Sequence, residues 1–190
     1  MLGRFFMTDP LKSTNTIDID TEQIIIRPAE LADAAQLTAI YNYYIQNTTI
    51  SFRIALTDVS LKEEQITERI GINPFLVADY DGQVIGFAYT SDAGAYEGYN
   101  PSKEISIYLD AHIQAKGIGS RLYSALEKEV IDNYPDIYKL VSQVTGTNES
   151  SLKFHEKHGF KQYGICKNMG YKFDQWLDVI YLEKDIRPFN

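Results

Sequence analysis

The strongest signal for the fold is the stretch Gln114-Ala115-Lys116-Gly117-Ile118-Gly119-Ser120-Arg121, which lies between a predicted strand and a predicted helix. Glycines at the N-terminus of a helix let backbone N–H groups approach a ligand, and the unpaired amides and the helix dipole favour an anion such as a pyrophosphate. Lys116 and Arg121 add positive charge there. An ordinary glycine-containing turn has the same pattern, so the residues alone leave both interpretations open.

Two common nucleotide-binding loops are excluded. The dinucleotide pattern GxGxxG requires a third glycine where this chain has Leu122, and no GxxxxGK[ST] stretch for a nucleoside triphosphate occurs. Any anion bound at this stretch is therefore bound in another way.

The elements around this stretch alternate between strands and helices. Upstream, residues 103–110 alternate polar and apolar side chains as a strand does, and downstream the apolar residues from Ile118 to Val130 recur on one helix face. Asp81-Gly82 joins two apolar runs and predicts a tight hairpin. The remaining predicted strands cover 24–28, 139–145, 160–168 and 176–184, and the remaining helices cover 37–45, 60–71 and 148–159. This order predicts an α/β or α+β fold, a mixed sheet with helices on its faces.

Composition excludes several classes of protein. With 18 Lys and Arg against 26 Asp and Glu, the formal net charge of the 190 residues is −8, which argues against a general binder of nucleic acid or of anionic membranes. No run reaches the roughly 18 apolar residues of a membrane span. One cysteine, Cys166, excludes an internal disulfide and favours a reducing compartment, so we expect the cytoplasm. We expect a flexible N-terminal arm over residues 1–22 and a single domain over 23–190.

Several segments together resemble one known family. The pattern Q-x-x-G-x-G at 114–119 between strand and helix is similar to the acyl-CoA pyrophosphate loop of the GNAT superfamily of N-acetyltransferases. Further matching segments are IRPAELADAAQLTAIYN at 26–42, NTTISF at 47–52, EISIYL at 104–109, TNESSLKFHEKHGF at 147–160 and YKFDQWLDVIYLEK at 171–184. They resemble the phosphinothricin and methionine sulfoximine acetyltransferase branch over roughly residues 24–184. The resemblance implies a central sheet of about seven strands, acetyl-CoA as cosubstrate, no metal, a small-molecule amine as acceptor, and a homodimer.

The resemblance also implies positions for the cofactor. The pantetheine arm would pair with the backbone of Ile107, Tyr108 and Leu109, as an extra strand does. The pyrophosphate would lie on the amides of the loop that Gln114 opens, with Lys116 at its edge; these amides belong to Gly117, Ile118, Gly119, Ser120 and Arg121. Asn148 occupies the place of an asparagine that contacts the cofactor, and as a good N-cap residue it could also cap the following helix.

Two residues are candidates for catalysis. Glu104 is the expected general base, because a carboxylate beside the cofactor can accept the proton of an alkyl-ammonium, and partial burial would raise its pKa into a useful range. An exposed glutamate at a strand end is the alternative for Glu104. His155 stands where the superfamily often has a tyrosine that protonates the leaving thiolate, and it is either such an acid or a contact to the cofactor. His112 and His158 lack partners at metal-ligand spacing and are expected at the surface.

Candidates for the acceptor side are Phe52, Arg53 and Tyr96, together with Glu104 and Ser106, which share one face of their strand. Relatives carry an Arg-Pro pair in the loop before the Glu104 strand, where this chain has Gly94-Ala95, so the usual grip on an acidic substrate group is missing. Either Arg53 supplies a displaced charge or the acceptor differs, for example another amine or a peptide N-terminus. A non-catalytic acyl-CoA-binding module is a further alternative.

Overall fold

A computed structural model describes residues 17–69, 71–114 and 116–189. The strands are β1 (Ile17–Asp18), β2 (Ile25–Pro28), β3 (Phe75–Tyr80), β4 (Gln83–Asp92), β5 (Ser102–Leu109), β6 (Ile113–Gln114), β7 (Lys139–Thr145), β8 (Lys161–Lys172) and β9 (Gln175–Asp185). The α-helices are α1 (Ala34–Asn47), α2 (Val59–Arg69), α3 (Ile118–Asn133) and α4 (Glu149–Lys157). Each predicted strand and helix is present in the predicted order.

Seven of these strands form one mixed sheet in the order β2-β3-β4-β5-β7-β9-β8. Only the β5–β7 pair is parallel within it, and the other neighbours are antiparallel. One buried cluster packs α1 and α2 against the sheet, and a second cluster packs α3 and α4 against the opposite face. The predicted fold, a mixed sheet of about seven strands with helices on both faces, is confirmed.

The hairpin between β3 and β4 shows how local sequence fixes register. Asp81 and Gly82 have φ of 52° and 79°, and Tyr80 pairs directly with Gln83. Positive φ at both central residues gives the turn whose twist matches that of the flanking strands, and Asp-Gly adopts it at low cost. The turn fixes the pairing of Tyr80 with Gln83 and of Asp79 with Val84, and a register shift between Ala78 and Asp79 then resets the pairing along the rest of β4.

The N-terminal segment contacts the domain from residue 17 onward. β1 pairs in parallel with β6, and Ile19 is buried in the cluster beneath α3. The sequence prediction placed all of residues 1–22 in an arm; within the part of it that the structure describes, Ile19 instead packs into the core because its side chain is apolar. Residues 1–16 of the predicted arm lie outside the described residues. Within the described ranges, no helix is both long and apolar enough to cross a membrane.

One buried charge lies in the cluster between α2 and the sheet. Lys62 is 2% exposed, and its ammonium donates to Gln65 Oε1 at 2.9 Å and lies 4.9 Å from the ring centroid of Tyr41. No carboxylate pairs with it in the described part of the chain. Burial lowers the pKa of Lys62 to about 8, with smaller contributions from Arg69 and Arg53.

We expect Lys62→Met to raise the free energy of unfolding at pH 7 by about 1–3 kcal/mol, because methionine keeps the apolar stem and removes an uncompensated buried charge. The folded-state pKa lies below that of the unfolded chain, so the cost is present below pH 8 and disappears as pH rises toward the unfolded value. Urea unfolding at pH 7 and pH 10.5 measures the difference, which should be much smaller at the higher pH. Lys128→Met, at an exposed site on α3, is the control and should change stability little. A marked loss of stability at pH 7 would show instead that the ammonium–ring contacts outweigh burial.

Candidate active site

The site is a cleft where two neighbouring strands part. β5 and β7 pair only from Ser102–Lys139 to Glu104–Val141. Beyond that point β5 continues beside β4 to Leu109, while β7 continues beside β9 to Thr145. The opening between them is a cavity of about 420 Å³, walled by Ile50 and Tyr44 on one face of the sheet and by Phe154, His155 and Gly119 on the other. The cleft is therefore open to both faces of the sheet.

The edge of β5 presents backbone groups to this cleft. The N–H of Asp110 donates to Ile85 on β4, and alternate residues of a strand direct their backbone groups to opposite sides. Ile107 and Leu109 therefore direct theirs into the cleft, where the Leu109 carbonyl accepts the Tyr44 hydroxyl at 2.7 Å. The backbone of Tyr108 pairs with β4 instead, so Tyr108 can line the cleft only with its side chain. This corrects the prediction that all three backbones offer hydrogen bonds to a ligand.

The N-terminus of α3 lies at one end of the cleft. Gly117 caps the helix with φ of 88°, a left-handed conformation that glycine adopts without strain. The N–H of Arg121 already donates to the Gly117 carbonyl at 2.9 Å. The amides of Ile118, Gly119 and Ser120 precede it and have no carbonyl acceptor within the helix. Gly119 lines the cavity. The structure thus offers three amides and a helix dipole to an anion; that the amides from Gly117 to Arg121 bind a pyrophosphate stays a prediction, and the Arg121 amide is already used by the helix.

Arg121 does not fit its predicted role. Its amide is used by the helix, and its guanidinium bonds the carbonyls of Thr21 and Ile24, the latter at 2.8 Å. The side chain therefore fastens the N-terminal segment to α3 and faces away from the cleft. Lys116 is exposed beside the loop. The backbone of Gln114 pairs with Asp18, and neither the Gln114 side chain nor Ala115 lies within the described part of the structure.

Ser120 is connected to α4 through a histidine. Its hydroxyl lies 3.0 Å from His158 Nε2, and the His158 ring packs 4.5 Å from the rings of both Tyr123 and Phe154. His158 was expected at the surface, but it is half-buried between α3 and α4. Packing between two helices explains the difference, since a ring on the inner side of a short helix is covered by its neighbour.

Glu104 is the last residue of β5 that still pairs with β7, so its side chain lies at the point where the strands part. Gln143 donates an Nε2–H to Glu104 Oε2 at 3.3 Å across this point. Partial burial raises the pKa of Glu104, and the Gln143 hydrogen bond opposes that shift. The predicted partial burial is present. Ser106, on the same face of β5, lines the cleft and hydrogen-bonds the phenol of Tyr89.

His155 lies on the opposite wall and is 6% exposed. Its Nδ1 lies 2.7 Å from the Ser151 carbonyl, which can only accept, so Nδ1 carries the proton. Burial lowers the pKa of His155, so the ring is neutral at pH 7 and its Nε2 is an acceptor. This state does not match a proton donor to a thiolate, and it favours the other role that the sequence left open, a contact to the cofactor.

Asn148 lines the cavity as the N-cap of α4. Its Oδ1 accepts the Ser151 N–H at 3.2 Å and the Ser150 hydroxyl at 2.9 Å. The expected capping role is present, and no hydrogen bond of its Nδ2 is found among the described residues. The amide donors are thus available to a ligand.

The remaining acceptor-side candidates, Phe52, Arg53 and Tyr96, lie in two loops and are not among the residues that line the cavity. The backbone of Ser51 and the ring of Phe52 rest on β8: Lys172 donates to the Ser51 carbonyl at 2.6 Å, and a Cβ on Gly170 would lie 2.0 Å from the Phe52 ring. Arg53 is exposed beside them, with its Nε bonded to Ala55 O. Tyr96 is 73% exposed and does not line the cavity.

The loop before β5 shows how the missing arginine is accommodated. A Cβ built on Gly94 would lie 2.6 Å from the Tyr99 ring, so that ring occupies the space where a longer side chain would begin. Gly94 could be singled out from the sequence, but its contact with the Tyr99 ring could not. The contributions of Gln143 and Thr145 of β7 to the cleft were not predicted either, because the pairing that brings β7 beside β5 is long-range.

An open strand edge beside a helix N-terminus with free amides suits an extended ligand that carries an anionic group. A family model described as acetyltransferase (GNAT) domain matches residues 26–181. The chain belongs to this family and is an N-acetyltransferase, which sets aside the non-catalytic module.

Three relatives illustrate the match. The chain is 34% identical to the phosphinothricin N-acetyltransferase of Streptomyces viridochromogenes over 84% of this chain and 86% of that one. It is 30% identical to the L-methionine sulfoximine/L-methionine sulfone acetyltransferase of Pseudomonas aeruginosa, over 86% and 95%. A solved Salmonella typhimurium acetyltransferase with its cofactor acetyl-CoA superposes with a TM-score of 0.83 and 27% identity, over 88% and 96%.

We expect Gly119→Ala to weaken acetyl-CoA binding about tenfold while leaving the fold intact. The added Cβ would lie 3.5 Å from Phe154 and 3.7 Å from Leu109, which is ordinary contact, and alanine favours a helix over glycine. The methyl group would enter the cavity beside the free amides. Calorimetric titration with acetyl-CoA measures the affinity. Gly98→Ala, with nothing within 4 Å of its Cβ, is the matched control. Unchanged affinity in Gly119→Ala would show that the cofactor does not approach α3 at this point.

Proposed function

We propose that this protein transfers the acetyl group of acetyl-CoA to the primary amine of a small amino-acid-like acceptor of the phosphinothricin or methionine sulfoximine type, with Glu104 as general base. The position of Glu104 carries the proposal. Its carboxylate lies where β5 and β7 part, on the α1 and α2 face, while the free amides of α3 lie on the other face. An acceptor and a carrier can therefore meet in the cleft from opposite sides.

The carrier is placed by groups on this chain. The pantetheine arm runs along the open edge of β5, where the backbone of Ile107 and Leu109 offers hydrogen bonds. Its pyrophosphate lies on the amides of Ile118, Gly119 and Ser120, which suit an anion because the helix dipole adds to their partial charge. The Nδ2 donors of Asn148 and the Nε2 acceptor of His155 line the wall that the carrier passes.

The chemistry follows from this placement. The acceptor ammonium gives a proton to Glu104, and the freed nitrogen attacks the thioester carbonyl carbon. The Leu109 N–H stabilises the oxygen that becomes negative in the tetrahedral intermediate. The carbon–sulfur bond then breaks, the nitrogen loses its second proton to water, and CoA leaves as the thiolate. Because the pKa of that thiol is near 8–9, the thiolate needs no acid, which agrees with a neutral His155.

The proposed class of acceptor rests on the two N-acetyltransferase relatives named above. Position 94 is the one place where the sequence does not match that class. Gly94 cannot grip an acidic group as arginine does, so Arg53 is the proposed replacement on the acceptor side. A different amine or a peptide N-terminus is the alternative acceptor.

A homodimer is part of the proposal. Large side chains along β8 and the β8–β9 turn are exposed, and a second copy would cover them; they are Tyr163, Ile165, Met169, Tyr171, Phe173 and Trp176. The cytoplasmic location stays a prediction from the single cysteine.

The test is acetyl-CoA-dependent release of free thiol over a panel of phosphinothricin, methionine sulfoximine, methionine sulfone, ordinary amino acids and simple amines. We expect turnover on the first three, and we expect Glu104→Gln to lower kcat by at least about 100-fold with acetyl-CoA affinity unchanged. Glu156→Gln, an exposed site on α4, is the control. Turnover only on other amines would show that the acceptor is of a different class. Full activity of Glu104→Gln would show that Glu104 is not the general base.

Direct transfer predicts that Cys166→Ala leaves kcat unchanged. Cys166 lies on β8, outside the cleft lining, with its Sγ 3.5 Å from Met169 Sδ, so it cannot carry the acetyl group. Initial rates of the two proteins at saturating acetyl-CoA decide the point. A collapse of kcat in the variant would indicate a covalent acetyl-enzyme and contradict direct attack.

A further inference from the structure

Gln143 is the one side chain that the structure shows hydrogen-bonded to Glu104 in the described part of the chain. It lies on β7, two residues past the last pairing with β5, and its amide reaches back across the opening to Glu104 Oε2. The contact therefore spans the cleft at its origin. Nothing in the sequence marked Gln143, since it is one of several polar residues on β7.

The donor has a definite electrostatic effect. An N–H aimed at a carboxylate oxygen stabilises the charged form, and burial disfavours it; both effects act on the pKa of Glu104, in opposite directions. The other titratable groups that interact with this carboxylate are the phenols of Tyr89 on β4 and Tyr163 on β8. The pKa of each phenol is raised, so both stay neutral through the range in which a carboxylate titrates. The Gln143 hydrogen bond is thus the contact that opposes the effect of burial on the pKa of Glu104.

We propose that Gln143 is a positioning residue for the general base: its amide fixes the Glu104 carboxylate at the origin of the cleft and keeps it ionised at neutral pH. This rests on the proposed function, because it takes Glu104 as the base. The amide holds the half-buried carboxylate beside the cleft, where it can accept the proton of an amine.

A charge series at position 143 tests this. Gln143→Leu removes the donor, Gln143→Glu replaces it with a negative charge, and Gln143→Lys replaces it with a positive charge. We expect the acidic limb of the kcat/KM profile to move to higher pH in Gln143→Leu and to still higher pH in Gln143→Glu. In Gln143→Lys it should move to lower pH. On the acidic limb, below the pKa of Glu104, Gln143→Leu should lose at most about tenfold in kcat/KM, and at pH 8 much less, because a base with a raised pKa is protonated at low pH. Gln162→Leu, an exposed glutamine on β8, is the matched control.

A second measurement needs no turnover. The Glu104 side-chain carboxyl is followed by 13C NMR during a pH titration of the protein without substrates, and its signal is assigned by its loss in Glu104→Gln. The same order of shifts is expected. Equal titration of Glu104 in all four proteins, or shifts of the same sign in the Leu and Lys variants, would overturn the proposal.

The two proposals can fail separately. If the NMR titration follows the charge at position 143 but Glu104→Gln stays active, Glu104 is not the base and the proposed function fails while the contact stands. If Glu104→Gln is inactive and the profiles of the Gln143 variants match that of the wild type, the base stands and the positioning role fails.

Discussion

The site depends on one interruption, the end of hydrogen bonding between β5 and β7 after Glu104 and Val141. Parallel strands that part leave N–H and C=O groups without partners, and each such buried group costs about 1–3 kcal/mol. The protein offsets part of this cost with a side chain, since the Tyr44 hydroxyl donates to the Leu109 carbonyl at 2.7 Å. Groups that stay unpaired, such as the Ile107 backbone, are available to a ligand that binds as a strand does.

The parting of the strands also separates two kinds of chemistry. The α3 face offers backbone amides and a helix dipole, and the α1 and α2 face offers a carboxylate, hydroxyls and aromatic rings. An acidic protein of net charge −8 thus has a way to bind an anion without a cluster of basic side chains. Arg121 illustrates the division, because its guanidinium serves the N-terminal segment while the helix amides remain free.

The fold followed from local patterns, and the errors arose where distant residues meet. Asp81-Gly82 and the alternation along β5 are local, so the hairpin and the face of Glu104 could be predicted, whereas the register shift between Ala78 and Asp79 could not. Lys62 was not noticed, since a lysine in a polar helix normally lies in solvent. Gln143 and the orientation of Arg121 depend on contacts 39 and 97 or more residues away, which no spacing in the chain reveals. The pairing of Ile107, Tyr108 and Leu109 was predicted as a unit, although strand geometry allows only alternate residues to face one side.

Gly94, where the resemblance implies an arginine, does not stand alone. Because the Tyr99 ring lies against Gly94, a longer side chain at position 94 requires Tyr99 to move, and the two positions are physically coupled. Cations nevertheless surround the acceptor side: Arg53 lies at its edge, Lys62 behind Tyr41, and Lys172 behind Ser51. None of the three forms an ion pair with a carboxylate in the described ranges. Lys62 and Lys172 are buried, so their charges are only weakly screened, whereas the charge of the exposed Arg53 is screened by solvent; the two lysines are therefore the cations whose charge acts most strongly on a group bound at this face of the sheet.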